Sequence, residues 1–379
     1  MFQYRLLFLW SICLIIKSTL AQPGTESFSH RISTQHLHFS YATAATTEGK
    51  QEDRFSPQQR QSPEFCLCEN NFMSICDCDT KLVFFGIYDG HGRSGAFAAE
   101  HARDHLLNNL KTILQKNEPM SDALKIAFLD TNDLFTQRAI KKNIQSGGTT
   151  ATIAVFENTS LHIANVGDTE AIAYFGNTDF FDTNRLETVT RKHHAGTYGE
   201  YQRLADFGPE HEMFDDTYTK RAWIEEIAIS KIKIKQFAPE MRPIIPYENK
   251  TISPLAKEAM LKRICVTTPD NRTHRLVPSR AIGDVYFHPF ITATPSIQTI
   301  DISESGFILI ASDGLWDLIS RKAAAQFICH QSTLVGKNNA QIIVQNLIDL
   351  VLDHANQCNI ELDDITATLI FIQPRTTKN

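Results

Sequence analysis

The stretch FFGIYDGHGRSG, from Phe84 to Gly95, begins like a buried strand and ends in charged residues and glycines. Apolar and aromatic residues open it, and an aspartate, a histidine and three glycines close it. A buried carboxylate is costly unless a positive group holds it, and glycines at a strand end indicate a turn where the backbone approaches another group closely. The stretch therefore predicts a core strand whose last residues hold something positively charged.

Bulk composition limits the class of protein and of partner. The chain has 379 residues, 42 % of them hydrophobic, which is enough for one large or two ordinary domains. Its formal net charge is −6, and no arginine-rich or lysine-rich block is present. Nucleic acid is therefore not expected as a partner.

The first residues have the pattern of a secretory signal peptide. An apolar run extends from Leu6 to Ile16, and small residues follow from Thr19 to Ala21. The run is shorter than the ~20 apolar residues that span a bilayer, and its end suits signal peptidase. We expect a signal peptide over 1–21, a loose polar leader over 22–35, and a secreted or lumenal protein with no membrane contact after cleavage. An uncleaved anchor and a mitochondrial presequence are the alternatives, because no acidic residue precedes Glu26.

Cysteines and glycosylation sequons also bear on the compartment. Four of the eight cysteines form the stretch CLCENNFMSICDC over 66–78. A hairpin there would oppose Cys66 with Cys78 and Cys68 with Cys76 at about 4.5–5.5 Å, a separation that disulfides can bridge. Two disulfides are the favoured expectation in an oxidising compartment, with a four-cysteine zinc site and free thiols as alternatives. Sequons for N-glycosylation begin at Asn158, Asn249 and Asn271.

The order of periodic segments predicts an α+β fold. Apolar spacing predicts one helix from Ser94 to Lys116 and a second that Ser121 caps and that reaches about Lys142. Alternating, β-branched strands precede and follow this helix pair, and a second pair is predicted over 321–330 and 338–357. This pattern favours two antiparallel sheets flanked by helices over a doubly wound parallel sheet. Residues 193–275 lose the regularity and are expected to form a long surface excursion.

Aspartates recur at the predicted strand ends, and a lone one would be read as a turn or cap residue. Carboxylates that converge at one sheet edge repel each other by several kcal/mol unless cations lie among them. Oxygen ligands select magnesium or manganese over zinc, and two such ions ~3.5–4 Å apart activate a water for in-line attack at phosphorus. His91 is placed to protonate the leaving alkoxide. The recurring residues are Asp53, Asp89, Asp168, Asp313, Asp317, Asp363 and Asp364.

Seven short motifs together resemble those of a known family. In chain order they are QEDRF, YDGHG, GGTTAT, ANVGDTEA, PSRAIGD, ASDGLWD and DDITA. The series is similar to that of the protein phosphatase 2C family, the metal-dependent serine/threonine phosphatases, and it covers a domain of about 36–373. The resemblance implies a four-layer α-β-β-α sandwich, phosphorylated proteins as substrates, and a binuclear magnesium or manganese centre in the channel between two antiparallel sheets. We expect a monomer.

The resemblance also assigns roles by motif position. His91 resembles the general acid, and the Gly90 carbonyl resembles a metal ligand. Asp168, with Asp313 and Asp317, matches the positions used for a weaker third metal. The carboxylates that resemble those of the metal centre are Asp53, Asp89, Asp313 and Asp363.

Three departures from the family pattern stand out. Glu48 occupies the position of an arginine that grips the substrate phosphate, so Lys50 or Arg93 is expected to substitute, the lysine less well because it is a point charge. The family's GDSR reads GDTE, which replaces a cation with Glu170. The flap over 193–275 is enlarged beyond its recognisable start, EYQRLADFG, and substrate preference is expected there.

Two other functions stay open on the sequence alone. One is a binding protein, a degenerate phosphatase that keeps the fold, because the arginine is missing and the flap is enlarged. The other is a phosphatase of small phosphoesters, because hydrolysis at a metal centre does not depend on which molecule carries the phosphate. The leading prediction is an active protein phosphatase.

Overall fold

The computed structural model describes most of the chain from residue 25 to residue 375. The described residues are 25–33, 36–46, 53–55, 82–142, 144, 146–195, 197–205, 211–215, 218–227, 261–267, 273–357 and 363–375. Several predictions lie outside them: the signal peptide, the cysteine segment, Glu48, Lys50, and the sequon asparagines Asn249 and Asn271.

Seventeen strands are described. In chain order they are β1 Thr25–Ser33, β2 Leu37–Thr46, β3 Asp53–Phe55, β4 Leu82–His91, β5 Gly148–Thr149, β6 Ala151–Glu157, β7 Ser160–Val166, β8 Glu170–Phe175, β9 Leu186–Thr188, β10 His211–Asp215, β11 Tyr218–Ile227, β12 Leu261–Thr267, β13 Thr273–Leu276, β14 Ile282–Gly283, β15 Ser296–Asp301, β16 Gly306–Ala311 and β17 Thr366–Pro374.

Six α-helices are described with them. They are α1 Gly95–Leu114, α2 Met120–Lys141, α3 Tyr198–Ala205, α4 Asp313–Trp316, α5 Arg321–Val335 and α6 Ala340–Gln357. Among the described residues, none of the helices combines the length and the apolar character needed to cross a bilayer.

Two antiparallel sheets form the middle of the fold. One has six strands in the order β1-β2-β17-β16-β8-β9, and the other runs β14-β5-β4-β6-β7-β15 with β3 paired to β4. A core of side chains from both sheets lies between them, and Phe39 and Phe85 each pack against Phe156 there. A second core joins α1 and α2 to one sheet, and a third joins α5 and α6 to the other. The predicted α-β-β-α sandwich is confirmed.

Strand β4 has no charged residue from Leu82 to Tyr88 because both of its faces are buried there. Val83, Phe85 and Ile87 belong to the core between the sheets. The alternate residues Phe84 and Tyr88 pack under the helix pair α1 and α2. Successive side chains in a strand point to opposite faces, so the two-residue period continues to Asp89 on the inter-sheet side. The strand thus delivers its first carboxylate to the mouth of the sandwich.

The structure differs from the sequence-based expectation at two places. The leader over 22–35 contains β1, which pairs along its whole length with β2, from Thr25 opposite Thr46 to Ser33 opposite His38. Helix α2 begins at Met120, and its first bond runs from the Ala123 N–H to the Pro119 carbonyl, so Ser121 lies inside the helix.

The excursion over 193–275 is a folded addition beside the sandwich in its described parts. Helix α3 is followed by a small antiparallel sheet in the order β10-β11-β12-β13. Ile264 and Val266 of β12 pack in one cluster with Leu204 of α3 and with Phe287 and Phe290. The flap is therefore attached through apolar contacts to the segment that follows the PSRAIGD motif.

Candidate metal centre

Asp89 is held at the end of β4 by its own backbone. Its carbonyl accepts hydrogen bonds from the Thr150 N–H at 2.8 Å and from Thr149 Oγ1 at 3.0 Å. Its N–H donates to Thr150 Oγ1 at 3.3 Å. The register of β3 with β4 sets Asp53 opposite Asp89, and for Asp53 the structure describes the backbone alone. Two of the predicted metal-centre residues are therefore neighbours in one ladder.

The glycines after Asp89 permit a close approach of helix to strand. A Cβ atom on Gly95, the first residue of α1, would lie 2.6 Å from the carbonyl carbon of Gly90, so only glycine fits there. Gly92 has a φ of 74°, in the left-handed region that glycine favours. Arg93 lies in this turn and is exposed, two residues beyond His91. The close approach of α1 and the positive φ at Gly92 explain why this core strand ends in glycines.

His91 is fixed by a buried carboxylate that the sequence did not single out. His91 Nε2 lies 2.6 Å from Asp284 Oδ2. The His91 side chain is 20 % exposed, whereas that of Asp284 is 3 % exposed. The Asp284 N–H donates to the Gly147 carbonyl at 3.1 Å, which fixes the aspartate in turn. One ring nitrogen of His91 is thus anchored, and part of the side chain stays exposed.

Ser312 ties Asp313 to the last motif of the chain. Ser312 Oγ donates to the Asp364 carbonyl at 3.2 Å and accepts from the Thr366 N–H at 3.0 Å. A Cβ atom on Gly314 would lie 2.2 Å from the Asp364 carbonyl oxygen, so the two segments touch. These contacts bring the start of α4 beside the segment of Asp363.

Asp168 is positioned by threonines whose role the sequence did not indicate. Thr150 Oγ1 and Thr169 Oγ1 are 2.7 Å apart, and Thr152 Oγ1 donates to the Thr169 carbonyl at 3.0 Å. Thr150 also contacts Asp89, so the GGTTAT motif connects the ends of β4 and β7. The threonines therefore set the separation between two predicted ligand positions.

The carboxylates of the site act on one another electrostatically. Burial, together with the charges of Asp168, Asp317 and Asp363, raises the pKa of Asp313 to about 8. Burial also raises the pKa of Asp168, which Lys192 and His91 oppose. Repulsion of this kind is what a bound divalent cation relieves, and the all-oxygen donor set fits magnesium or manganese.

The described side chains do not by themselves complete a metal site. No three His, Cys, Asp or Glu groups within the described part of the chain lie together as a ligand set, and the side chain of Asp53 is not among them. Asp89, Asp168 and Asp313 are half-buried, and Asp317 and Asp363 are exposed. The donor chemistry fits the predicted ions, and the metal centre itself stays a prediction.

Glu170, the residue that replaces a family arginine, is neutralised by cations from elsewhere. Lys192 Nζ lies 3.1 Å from Glu170 Oε1, and Arg321 Nε donates to Glu170 Oε2 at 3.0 Å. Trp316 Nε1 donates to the Glu170 carbonyl at 3.2 Å. Lys192 is thus a further residue of the site region that the motifs did not reveal.

The flap helix α3 is joined to the PSRAIGD motif through Glu200. Arg280 Nε donates to Glu200 Oε1 at 2.8 Å, and Ser279 Oγ donates to Oε2 at 2.9 Å. Arg203 Nε donates to the same Oε2 at 3.1 Å. Burial by itself would raise the pKa of Glu200, but the hydrogen bonds and charges of Arg280 and Arg203 lower it to about 2. The carboxylate is therefore ionised and fully paired.

We expect Glu200→Gln to destabilise the fold. Removing one partner of a buried charged network costs roughly 3–5 kcal/mol, because it leaves the other charges unpaired. The pKa of Glu200 is lowered from its ordinary 4.5 to about 2 in the folded chain. The ionised carboxylate therefore contributes fully to the free energy of unfolding above pH 4.5, and this contribution is lost as the pH falls through 2. Urea unfolding at neutral pH and at pH 3 measures both effects. Glu187→Gln, at an exposed site in β9, is the matched control, and an equal change in the two variants would contradict the assignment.

A family profile and several relatives match the chain. The profile described as "Protein phosphatase 2C" matches residues 49–215 and 255–360. The chain is 25 % identical over 311 residues to "Probable protein phosphatase 2C 2" of Arabidopsis thaliana, across 80 % of this chain and 63 % of that protein. It is 27 % identical over 293 residues to "Probable protein phosphatase 2C 25" of Oryza sativa subsp. japonica, across 74 % of this chain and 65 % of that protein.

A third relative also matches the chain in sequence, and two solved structures match it in fold. "Protein phosphatase 1F" of Mus musculus is 23 % identical over 305 residues, across 80 % of this chain and 52 % of that protein. The chain thus spans less than two thirds of the length of each of these relatives. A serine-threonine phosphatase 2C from Toxoplasma gondii superposes with a TM-score of 0.61 at 18 % identity, covering 93 % of this chain and 100 % of that one. A sex determining protein of C. elegans superposes with a TM-score of 0.55 at 15 % identity, covering 96 % and 71 %.

Proposed function

Because the chain belongs to the protein phosphatase 2C family, we propose that it hydrolyses phosphoserine and phosphothreonine in proteins at a centre of two magnesium or manganese ions. The observation that carries the proposal is the electrostatic effect that carboxylates following the strand ends have on one another, with a histidine near one of them. Asp168, Asp313 and Asp317 interact electrostatically, and His91 is close enough to act on the charge of Asp168.

The residues that would hold the two ions are those at the strand ends. Asp53, Asp89, Asp313 and Asp363 supply carboxylates, and Gly90 supplies its carbonyl. When bound, the ions would lower the pKa of a water and orient it toward phosphorus. The threonine bonds to Asp89 and the Ser312 bonds beside Asp313 support this role, because they fix the backbone from which the carboxylates extend.

His91 would donate the proton that the leaving alkoxide takes. Its Nε2 is held by Asp284, which orients the ring. A buried carboxylate beside a general acid–base histidine is a common way to fix ring orientation and tautomer. Asp284 acts here as a positioning residue because it reaches the reacting atoms only through the imidazole.

The phosphate would be gripped by a cation near the strand end. Arg93 is exposed in the turn after His91, and its planar guanidinium can bind two phosphate oxygens at once. Lys50, which lies outside the described residues, is the other candidate. Comparing Arg93→Met with Lys50→Met would assign the role, since loss of the gripping cation raises KM for phosphorylated substrates.

Metal-dependent turnover is the experiment that tests the proposal. We expect the purified chain to hydrolyse p-nitrophenyl phosphate and a phosphothreonine peptide with manganese or magnesium, and to lose activity with a chelator. Turnover that persists in chelator would contradict the metal mechanism. If folded protein shows no turnover with any metal, the result would favour a degenerate phosphatase that acts by binding a partner. The flap, which has its own sheet, would then be the first surface to test for binding. Turnover of small phosphoesters alone would favour a phosphatase of small molecules.

We also propose that the protein enters the secretory pathway. The apolar run near the N-terminus motivates this proposal, and the surface position of one sequon supports it. Asn158 is exposed at the tip of the β6–β7 hairpin, with a φ of 55°. Expression in a cell with a secretory pathway should give a chain that begins at Gln22 and shrinks on deglycosylation, a shift that Asn158→Gln reduces. An unprocessed, unglycosylated chain found in mitochondria would contradict the proposal.

A further inference from the structure

The buried carboxylate that anchors His91 lies in a loop of residues 279–294, the anchor loop. Near the start of this loop, Arg280 Nη1 donates to the Thr294 carbonyl at its end, at 2.8 Å, so the loop closes on itself. Asp284 lies between these positions with a φ of 51°, in the left-handed region, a conformation that costs energy and persists because neighbouring contacts hold it. The position of the carboxylate thus depends on what holds the anchor loop.

The sandwich holds the anchor loop next to Asp284. The Gly283 N–H donates to Asn132 Oδ1 of α2 at 3.0 Å, and the Asp284 N–H donates to the Gly147 carbonyl at 3.1 Å. Strand β14 pairs with β5, and β5 pairs with the end of β4. These contacts fix the loop at the residue that carries the carboxylate.

The flap holds the two ends of the anchor loop through side chains of α3. Glu200 accepts from Arg280 Nε at 2.8 Å and from Ser279 Oγ at 2.9 Å, both at the start of the loop. Arg203 donates through Nη2 to the Ser279 carbonyl at 2.8 Å and through Nη1 to the Phe290 carbonyl, near the end of the loop, at 2.9 Å. Glu200 and Arg203 also form an ion pair with each other. Two side chains of one helix therefore hold both ends of the loop.

An apolar core makes the same connection between flap and anchor loop. Its members include Leu204 of α3, Val266 of β12, and Ala281, Phe287 and Ile291 of the anchor loop, each at most 5 % exposed. Closely packed side chains transmit a displacement from one element to the next. A movement of α3 therefore moves the loop that carries the carboxylate.

We propose that the flap sets the orientation of the His91 imidazole through the anchor loop, with Glu200 as the positioning residue on the flap side. The inference rests on the proposed function, because it takes His91 as the proton donor to the leaving alkoxide. Glu200 holds the start of the loop, and the loop carries Asp284, whose Oδ2 lies 2.6 Å from His91 Nε2. A proton donor works only within hydrogen-bond reach of the leaving oxygen, so a small displacement of the loop lowers its efficiency.

Substrates with leaving groups of different basicity test the inference. With the full chain and Mn²⁺, Glu200→Gln should lower kcat on a phosphothreonine peptide about 10- to 100-fold, the effect of misplacing a reacting group by about 1 Å. The loss should be smaller on phenyl phosphate, and kcat should stay within about twofold on p-nitrophenyl phosphate, whose phenolate leaves unprotonated. The two aryl esters contain no peptide, so a difference between them does not come from peptide binding to the flap.

Two further variants keep the test decisive. Rates are divided by the folded fraction measured by circular dichroism, and Ser279→Ala serves if Glu200→Gln does not fold. It removes one hydrogen bond to Glu200 and should give the same order of losses at a smaller size. Glu304→Gln, which breaks an exposed ion pair with Arg185, is the control and should leave all three rates unchanged.

A double variant separates positioning from a structural role. If Glu200 acts through His91, adding Glu200→Gln to His91→Ala should cause no further loss on the peptide. A further loss there, an equal loss on all three substrates in Glu200→Gln, or no loss on the peptide would overturn the inference and leave the proposed function standing. Absence of leaving-group selectivity in His91→Ala, or of turnover in the wild type, would overturn the proposed function and the inference with it.

Discussion

Asp89→Asn should abolish turnover and leave the fold intact. The asparagine keeps the shape of the side chain, and the backbone bonds of residue 89 to Thr149 and Thr150 do not depend on the carboxylate. It removes one of the negative charges that would hold both ions. Loss of roughly 4 kcal/mol of transition-state stabilisation corresponds to a fall of about 10³-fold in kcat/KM. The rate with manganese, the melting temperature and the Mn²⁺ affinity together measure the effect.

The control for this variant removes a carboxylate of the same kind elsewhere. Asp122→Asn changes an exposed aspartate in the first turn of α2 and should leave both rate and metal affinity unchanged. Without metal, Asp89→Asn should be at least as stable as the wild type, because it relieves repulsion within the acidic group. A wild-type rate in Asp89→Asn would remove Asp89 from the metal centre. A large fall in melting temperature would instead indicate a structural role.

The sequence predicted the elements in which burial of one or both faces gives the apolar residues a regular spacing. The run of β4 and the helix spacing of α1 follow directly from which faces are buried. Strand β1 was not predicted because it lies at the edge of its sheet. Its residues Ser29, Arg31 and Ser33 are polar and exposed, and the strand is defined by its pairing with β2. Backbone pairing at an edge needs no apolar pattern, so composition alone suggested a loose leader.

The candidate site was predictable to the extent that its residues belong to short motifs. His91 and Asp284 are 193 positions apart, and nothing in either motif indicates that they share a hydrogen bond. Lys192 likewise carries no local signal, because its role depends on the pairing of its segment with the end of β7. Residues that position or neutralise others come together only through the fold, whereas a strand-end aspartate is marked by the apolar run before it.

His91→Ala should separate two substrates that differ in their leaving group. A general acid contributes about 10²–10⁴-fold when the leaving group needs a proton, as the alkoxide of threonine does. We therefore expect a loss of that size on a phosphothreonine peptide, and a much smaller loss on p-nitrophenyl phosphate, whose phenolate leaves unprotonated. Asp284→Ala should show the same selectivity with a smaller loss, because it frees the imidazole without removing it.

Comparison of the two substrates distinguishes proton donation from a general weakening of the site. His330→Ala, at an exposed position on α5, is the matched control and should leave both rates unchanged. An equal loss on both substrates in His91→Ala would show that the imidazole supports the metal centre rather than the leaving group, since activation of the water affects both esters alike. Measuring Mn²⁺ affinity in the same variant decides between these readings: an unchanged affinity together with a leaving-group-dependent rate leaves proton donation as the role of His91.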